Sequence, residues 1–93
     1  MFEILTFRLA AGVDTETFRS IDERIQVEFA YQQPGIIRRT LGRHDDGRWL
    51  ALTIWADAES AAVAQRVFDE SDLGSEFAAL VTDTVVERFR GAD

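Results

Sequence analysis

A single histidine, two tryptophans, scattered threonines and ten arginines are the side chains here that could do chemistry; there is no lysine. His44 alone titrates near neutrality, which makes it the candidate general base. Arg38 is a fixed cation able to anchor an anionic or enolate-like ligand, and an indole facing it would add a cation–π contact. The hydroxyls of Thr6, Thr40 and Thr53 could orient a polar ligand, while Ile4 and Trp55 would supply an apolar wall. The candidate site is therefore His44 and Arg38 as catalytic groups, with Ile4, Thr6, Thr40, Thr53 and Trp55 as substrate-binding groups. Each has a plainer reading beside it. His44 adjoins Asp45 at a turn, where strand ends meet solvent; Arg38 would also suit an interface; threonine is simply a good strand former.

Other chemistries are poorly supplied. Without cysteine there are no disulfides, thiolate metal sites or cysteine nucleophiles. One histidine and carboxylates on separate helix faces do not make a zinc site. The glycines are dispersed, so no phosphate-cradling loop exists, and Asp45-Asp46 belongs to a turn. Neither a metal nor a cofactor is expected. A formal charge of −7 repels phosphate backbones, so nucleic acid is not an expected partner. The opening M-F-E-I-L-T-F-R lacks the basic and long apolar regions of a signal peptide, and no apolar stretch reaches membrane-spanning length. The expectation is a cytoplasmic protein with no membrane partner.

These residues are positioned by strands and helices that the pattern predicts over a single domain, residues 1–93. Phe2 to Leu9 alternates as a strand, with Leu5, Phe7 and Leu9 on one side and Ile4, Thr6 and Arg8 on the other. Asp14 or Thr15 caps a helix reaching about Tyr31, its apolar positions Phe18, Ile21, Ile25 and Phe29 at helical spacing. Pro34-Gly35 ends it. Two strand-like runs then flank Asp46-Gly47, a dipeptide suited to a two-residue type I′ turn. That turn pairs Leu41 with Leu52, Arg39 with Ile54, Arg43 with Leu50 and Ile37 with Ala56 on a mainly aliphatic face. It pairs His44 with Trp49, Gly42 with Ala51, Thr40 with Thr53 and Arg38 with Trp55 on the other. A three-residue loop would slip the pairing by one and mix the two sets.

Asp57 then caps an alanine-rich helix through Phe68, Leu73 to Val81 suits a short further helix, and Thr82 to Arg90 reads as the last strand. The order β-α-β-β-α-β is a ferredoxin-like α+β fold, an antiparallel sheet with helices on one face. Its other face, predicted to carry Ile4, Thr6, Trp49 and Trp55, has no cover within the chain. A second copy packed on that face, or a ligand pocket within it, would bury the tryptophans.

The segments E-I-L-T-F-R-L-A-A-G-V-D, Q-Q-P-G-I-I-R-R, D-D-G-R-W-L and T-I-W-A-D-A-E-S-A-A together resemble the dimeric α+β barrel superfamily, and within it the antibiotic biosynthesis monooxygenase-like group. The resemblance covers nearly the whole chain. It implies a homodimer formed through the sheet face. It further implies a cofactor-independent monooxygenase or isomerase acting on a small aromatic or quinol-like substrate in the barrel, with oxygen activated by the substrate carbanion. A non-catalytic dimer that binds a small molecule, or an assembly module, is equally compatible with the fold. Haem-degrading relatives use an asparagine on the first strand, a tryptophan on the third and a histidine on the second helix. Trp55 matches the tryptophan and Gln65 lies near the histidine position, but this chain has no asparagine, so haem degradation is not implied. A ligand beside Arg38 would be neutral or anionic.

Overall fold

The structure is a computed structural model that describes residues 1–92. Strand β1 (Phe2–Leu9) leads through Gly12, whose φ of 83° suits a residue without a side chain, into helix α1 (Thr15–Arg24). Asp14 caps α1 by accepting from the Thr17 backbone N–H at 2.7 Å. The helix does not stop at Arg24. It loosens into a π-helical turn, Ile25–Phe29, and a 3-10 turn, Ala30–Gln32. The predicted run to Tyr31 is thus helical throughout, but wound more widely over its last turns. Strands β2 (Ile36–Arg43) and β3 (Trp49–Trp55) follow, then α2 (Ala58–Asp69), α3 (Asp72–Leu80) and β4 (Val81–Phe89). Asp57 caps α2 through the Ser60 N–H at 2.7 Å, and Ser71 caps α3 through the Gly74 N–H at 3.0 Å.

All strand pairs are antiparallel, in the order β2-β3-β1-β4, with β1 beside β3 as the sequence implied. Leu5, Phe7 and Leu9 face the helices. There Phe7, Phe18, Trp49 and Phe77 form an aromatic core, with Phe18 and Trp49 ring centroids 4.9 Å apart. A second cluster sets Trp55 against Ala61 and Ala64, small residues that let α2 approach the sheet. This is the βαββαβ, ferredoxin-like α+β arrangement that the pattern predicted.

The hairpin register is different from the predicted one. Arg43 pairs with Trp49, Leu41 with Ala51, Thr40 with Leu52 and Arg39 with Thr53, a slip of one residue along β3. The loop is Asp45-Asp46-Gly47: His44 N–H donates to the Arg48 carbonyl at 2.7 Å and Gly47 N–H to the His44 carbonyl at 3.0 Å. Only Gly47, at φ 93°, takes the left-handed conformation, so the turn is type I closed by a glycine bulge; type I′ would also need Asp46 at positive φ. Asp46 is held instead by its side chain, which accepts from the Arg48 backbone N–H at 2.9 Å and the Arg48 Nε–H at 2.8 Å.

The slip leaves β2 facing as predicted from Arg38 to Arg43 and turns β3 over; a bulge between Ile36 and Arg38 exposes Ile37, expected on the aliphatic face opposite Ala56, and packs Ile36 against Trp55 instead. Trp49, Ala51, Thr53 and Trp55 are buried against the helices, while Leu50, Leu52 and Ile54 lie on the open face. Burying both indoles favours this register by up to several kcal/mol, at ~25 cal/mol per Å² over ~200 Å² each. The predicted cation–π pair is replaced accordingly: Arg43, not Arg38, lies over an indole, 5.1 Å from the Trp49 ring centre.

Candidate functional site

Between the sheet and the helices lies a cavity of about 310 Å³, within the size range of small-molecule sites. Its sheet wall carries an unusual line of side chains. Arg39 on β2 pairs with Thr53 on β3, Thr53 with Glu3 on β1, and Glu3 with Arg88 on β4, so one polar row crosses the whole sheet on the side that faces the helices. The neighbouring row, Leu41, Ala51, Leu5 and Val86, is entirely apolar. Arg39, Thr53 and Glu3 line the cavity, together with Trp55, Gln65, Thr84 and an apolar surround that includes Phe29, Phe68 and Phe77.

The charges in this row are held. Arg39 Nη2 donates to Asp22 Oδ1 at 2.7 Å, and its Nη1 donates to Asp22 Oδ2 at 3.2 Å and to Gln26 Oε1 at 2.9 Å. Both partners are buried, so this is a two-point guanidinium–carboxylate pair out of water. It ties β2 to α1 and to the loosened turn that follows. Tyr31 fastens the same residue through its backbone: the Arg39 N–H donates to the phenol oxygen at 2.9 Å and the phenol O–H donates to the Arg39 carbonyl at 3.1 Å. At the opposite end of the row Arg88 Nε donates to Glu3 Oε2 at 2.9 Å.

Hydrogen-bonding capacity is left over along this wall. Among the described residues, Arg39 Nε–H has no acceptor and Glu3 Oε1 has no donor. Trp55 Nε1–H is fully buried and has no partner. An unpaired buried donor is costly, on the order of 1–3 kcal/mol, and asks for an acceptor from outside the chain. Gln65 Nε2, also in the cavity lining, donates to Asp69 Oδ1 at 2.8 Å.

The residues expected to form the site are divided by the fold. Thr53 and Trp55 line the cavity. Ile4, Thr6, Arg38 and Thr40 lie on the open face, as the alternation predicted, but the register slip separates them from Thr53 and Trp55. Arg38 stands opposite Ile54, exposed, and does not meet Trp55. The pocket expected on the uncovered face is therefore overturned. His44 sits in the β2–β3 turn with its side chain 60% exposed, its Nδ1 accepting from the Asp46 N–H at 3.0 Å. Its role in the structure is to shape the turn. Asp46 is held below the usual carboxylate range first by the Arg48 backbone N–H, with the Arg48 guanidinium adding to it by hydrogen bond and charge. The described residues contain no cluster of histidine, cysteine or carboxylate groups able to hold a metal ion, and no helix is long and apolar enough to cross a membrane.

Arg39, Glu3, Asp22 and Arg88 were the residues missed. Two of them carried a visible signal. Glu3 shares the parity of Leu5, Phe7 and Leu9, and Asp22 falls between Phe18 and Ile25 at helical spacing, so both are charges at positions the pattern assigns to the core.

No protein-family model and no curated protein matches the sequence. Solved structures do match the fold over nearly the whole chain. A point-substituted form of SnoaB, described as a cofactor-independent oxygenase from Streptomyces nogalater, is 22% identical, with 98% of this chain and 93% of that one covered and a TM-score of 0.79. A protein of Arabidopsis thaliana gives a TM-score of 0.83 at 9% identity, covering 99% and 95% of the two chains. One from Pseudomonas aeruginosa gives 0.72 at 17% identity, covering 98% and 93%. At such identities the likeness is one of fold: the chain shares the ferredoxin-like α+β protomer fold of these structures, the fold class expected from its sequence.

Proposed function

We propose that this protein is a cofactor-independent oxygenase that binds a small aromatic, quinol-like substrate between its sheet and helices. The observation that carries the reading is the cavity lined by Trp55, whose buried Nε1–H has no partner, and by Arg39, whose Nε–H is free. Such donors, set in a wall otherwise rich in aromatic and aliphatic side chains, suit an oxygen atom that becomes negative during reaction. A quinol, or its keto tautomer with an acidic C–H, is such a compound. Loss of that proton gives a carbanion whose charge is shared with the oxygen. The carbanion adds dioxygen to form a hydroperoxide, and loss of water leaves the carbonyl, so that one oxygen atom enters the product and the other leaves as water. The charged pairs in the wall balance one another, which favours a substrate that enters neutral.

Anthrone, a three-ring ketone with an acidic C–H, is a suitable probe. Oxygen uptake above the uncatalysed rate is expected with the native protein. Trp55→Phe, which keeps a ring but removes the donor, is expected to lower kcat about 100-fold. No uptake with anthrone or related quinols would overturn the reading.

The open face is the proposed homodimer contact. Phe2, Val85 and Phe89 are exposed there, and Ile4, Leu50, Leu52 and Ile54 are only partly covered. A contiguous apolar sheet face of this kind marks an interaction site. The corrected register makes it more apolar than the sequence pairing implied.

A further inference from the structure

We propose that Glu3 is the group that takes the proton from the bound substrate; the inference rests on the reading that the cavity binds an acidic aromatic compound. Glu3 is the one carboxylate in the polar row of the sheet wall, and its side chain is 15% exposed. Its two oxygens differ. Oε2 accepts from Arg88 Nε at 2.9 Å, while Oε1 accepts no hydrogen bond among the described residues. The pairing with Arg88 holds the carboxylate in place, and the other oxygen is available to receive a proton.

Geometry separates Glu3 from the other ionisable groups near the cavity. Asp22 spends both oxygens on Arg39. Asp69 is exposed and accepts from Gln65 Nε2. His44 and Arg38 lie outside the cavity lining. Across the sheet Glu3 is adjacent to Thr53, and Thr53 to Arg39. One wall therefore offers a proton acceptor at Glu3 and, two strands away, a cation that favours the resulting oxyanion. The step is a simple transfer: the substrate C–H or O–H bond breaks, its proton passes to Glu3 Oε1, and the electron pair stays on the substrate as an enolate facing Arg39 and Trp55. Glu3 returns the proton when the hydroperoxide is formed.

The test separates proton transfer from oxidation. Anthrone is titrated anaerobically into the native protein and into Glu3→Gln, a variant that can still accept from Arg88. Binding is followed by tryptophan fluorescence, and ionisation by the visible absorbance of the anthrone anion. The native protein is expected to show the anion near neutral pH. Glu3→Gln is expected to bind within about threefold of native, form at least tenfold less anion, and oxidise anthrone about 100-fold more slowly in air. Glu3→Asp, which keeps the carboxylate, is expected to restore part of the anion and serves if the amide variant folds poorly. Equal anion formation in Glu3→Gln overturns the assignment of Glu3, as does a native complex in which bound anthrone stays neutral. Anion formation without oxygen uptake overturns the oxygenase reading and leaves Glu3 as the acceptor. Failure of the native protein to bind anthrone overturns both.

Discussion

Removing the guanidinium of Arg39 would leave the Asp22 carboxylate buried without its partner, because both side chains are almost completely out of water. Arg39→Met is therefore expected to destabilise the fold by about 3–5 kcal/mol in urea denaturation. Neutralising the partner as well, in Arg39→Met with Asp22→Asn, is expected to recover most of that loss, since no charge is then stranded. A double variant as unstable as the single one would show that Arg39 acts through packing instead. Trp55 belongs to the same scale. Its ring packs on Ala61 and Ala64, so Trp55→Glu is expected to unfold the chain, as read by circular dichroism, and not merely to separate subunits. A folded Trp55→Glu monomer would place the indole on the open face after all.

The turn and the helix caps govern the elements. Gly47 stands at φ 93°, and a Cβ there would meet Arg8 Nη1 at 3.2 Å. Gly47→Val is expected to cost about 1–2 kcal/mol, measured by thermal or urea melting. An unchanged midpoint would mean that the loop has another conformation in solution. The caps carry a pH dependence. Asp14 is held below the usual carboxylate range chiefly by the Thr17 N–H, and Asp57 by the Ser60 N–H. A depressed native pKa adds stability above the unfolded value and loses it as pH falls through the folded one. The melting temperature is thus expected to drop from about pH 5 to about pH 3, and replacing both aspartates by serine, a cap that does not titrate, should flatten part of that slope. An identical slope in the variant would assign acid sensitivity to other carboxylates.

For the whole molecule, the consequential surface is the open face of the sheet. Leu52 lies at its centre, between Ile4 on β1 and Thr40 on β2. Leu52→Glu is expected to turn a dimer into a monomer by sedimentation while leaving the far-ultraviolet circular dichroism unaltered. A native protein that sediments as a monomer at micromolar concentration would remove the dimer proposal. If the variant remains a dimer, the contact uses another surface, such as the exposed Val63 and Val67 of α2.

Local chemistry in the sequence was enough for much of this architecture. The alternation of Phe2–Leu9, the caps at Asp14 and Asp57, and the turn signal at Asp46-Gly47 each depend on a few neighbouring residues, and each stands in the structure. The facing of β3 did not follow, because a side-chain period of two makes a single added loop residue reverse every position on the strand. Asp46-Gly47 is compatible with either turn. The choice fell to packing, where Trp49 finds Phe18 and Trp55 finds Ala61 and Ala64 across the interior. That same choice set Thr53 between Arg39 and Glu3, and the pairing of β4 with β1 set Arg88 beside Glu3. The polar row combines residues from four strands that are distant in sequence, and only the tertiary pairing brings them into one wall.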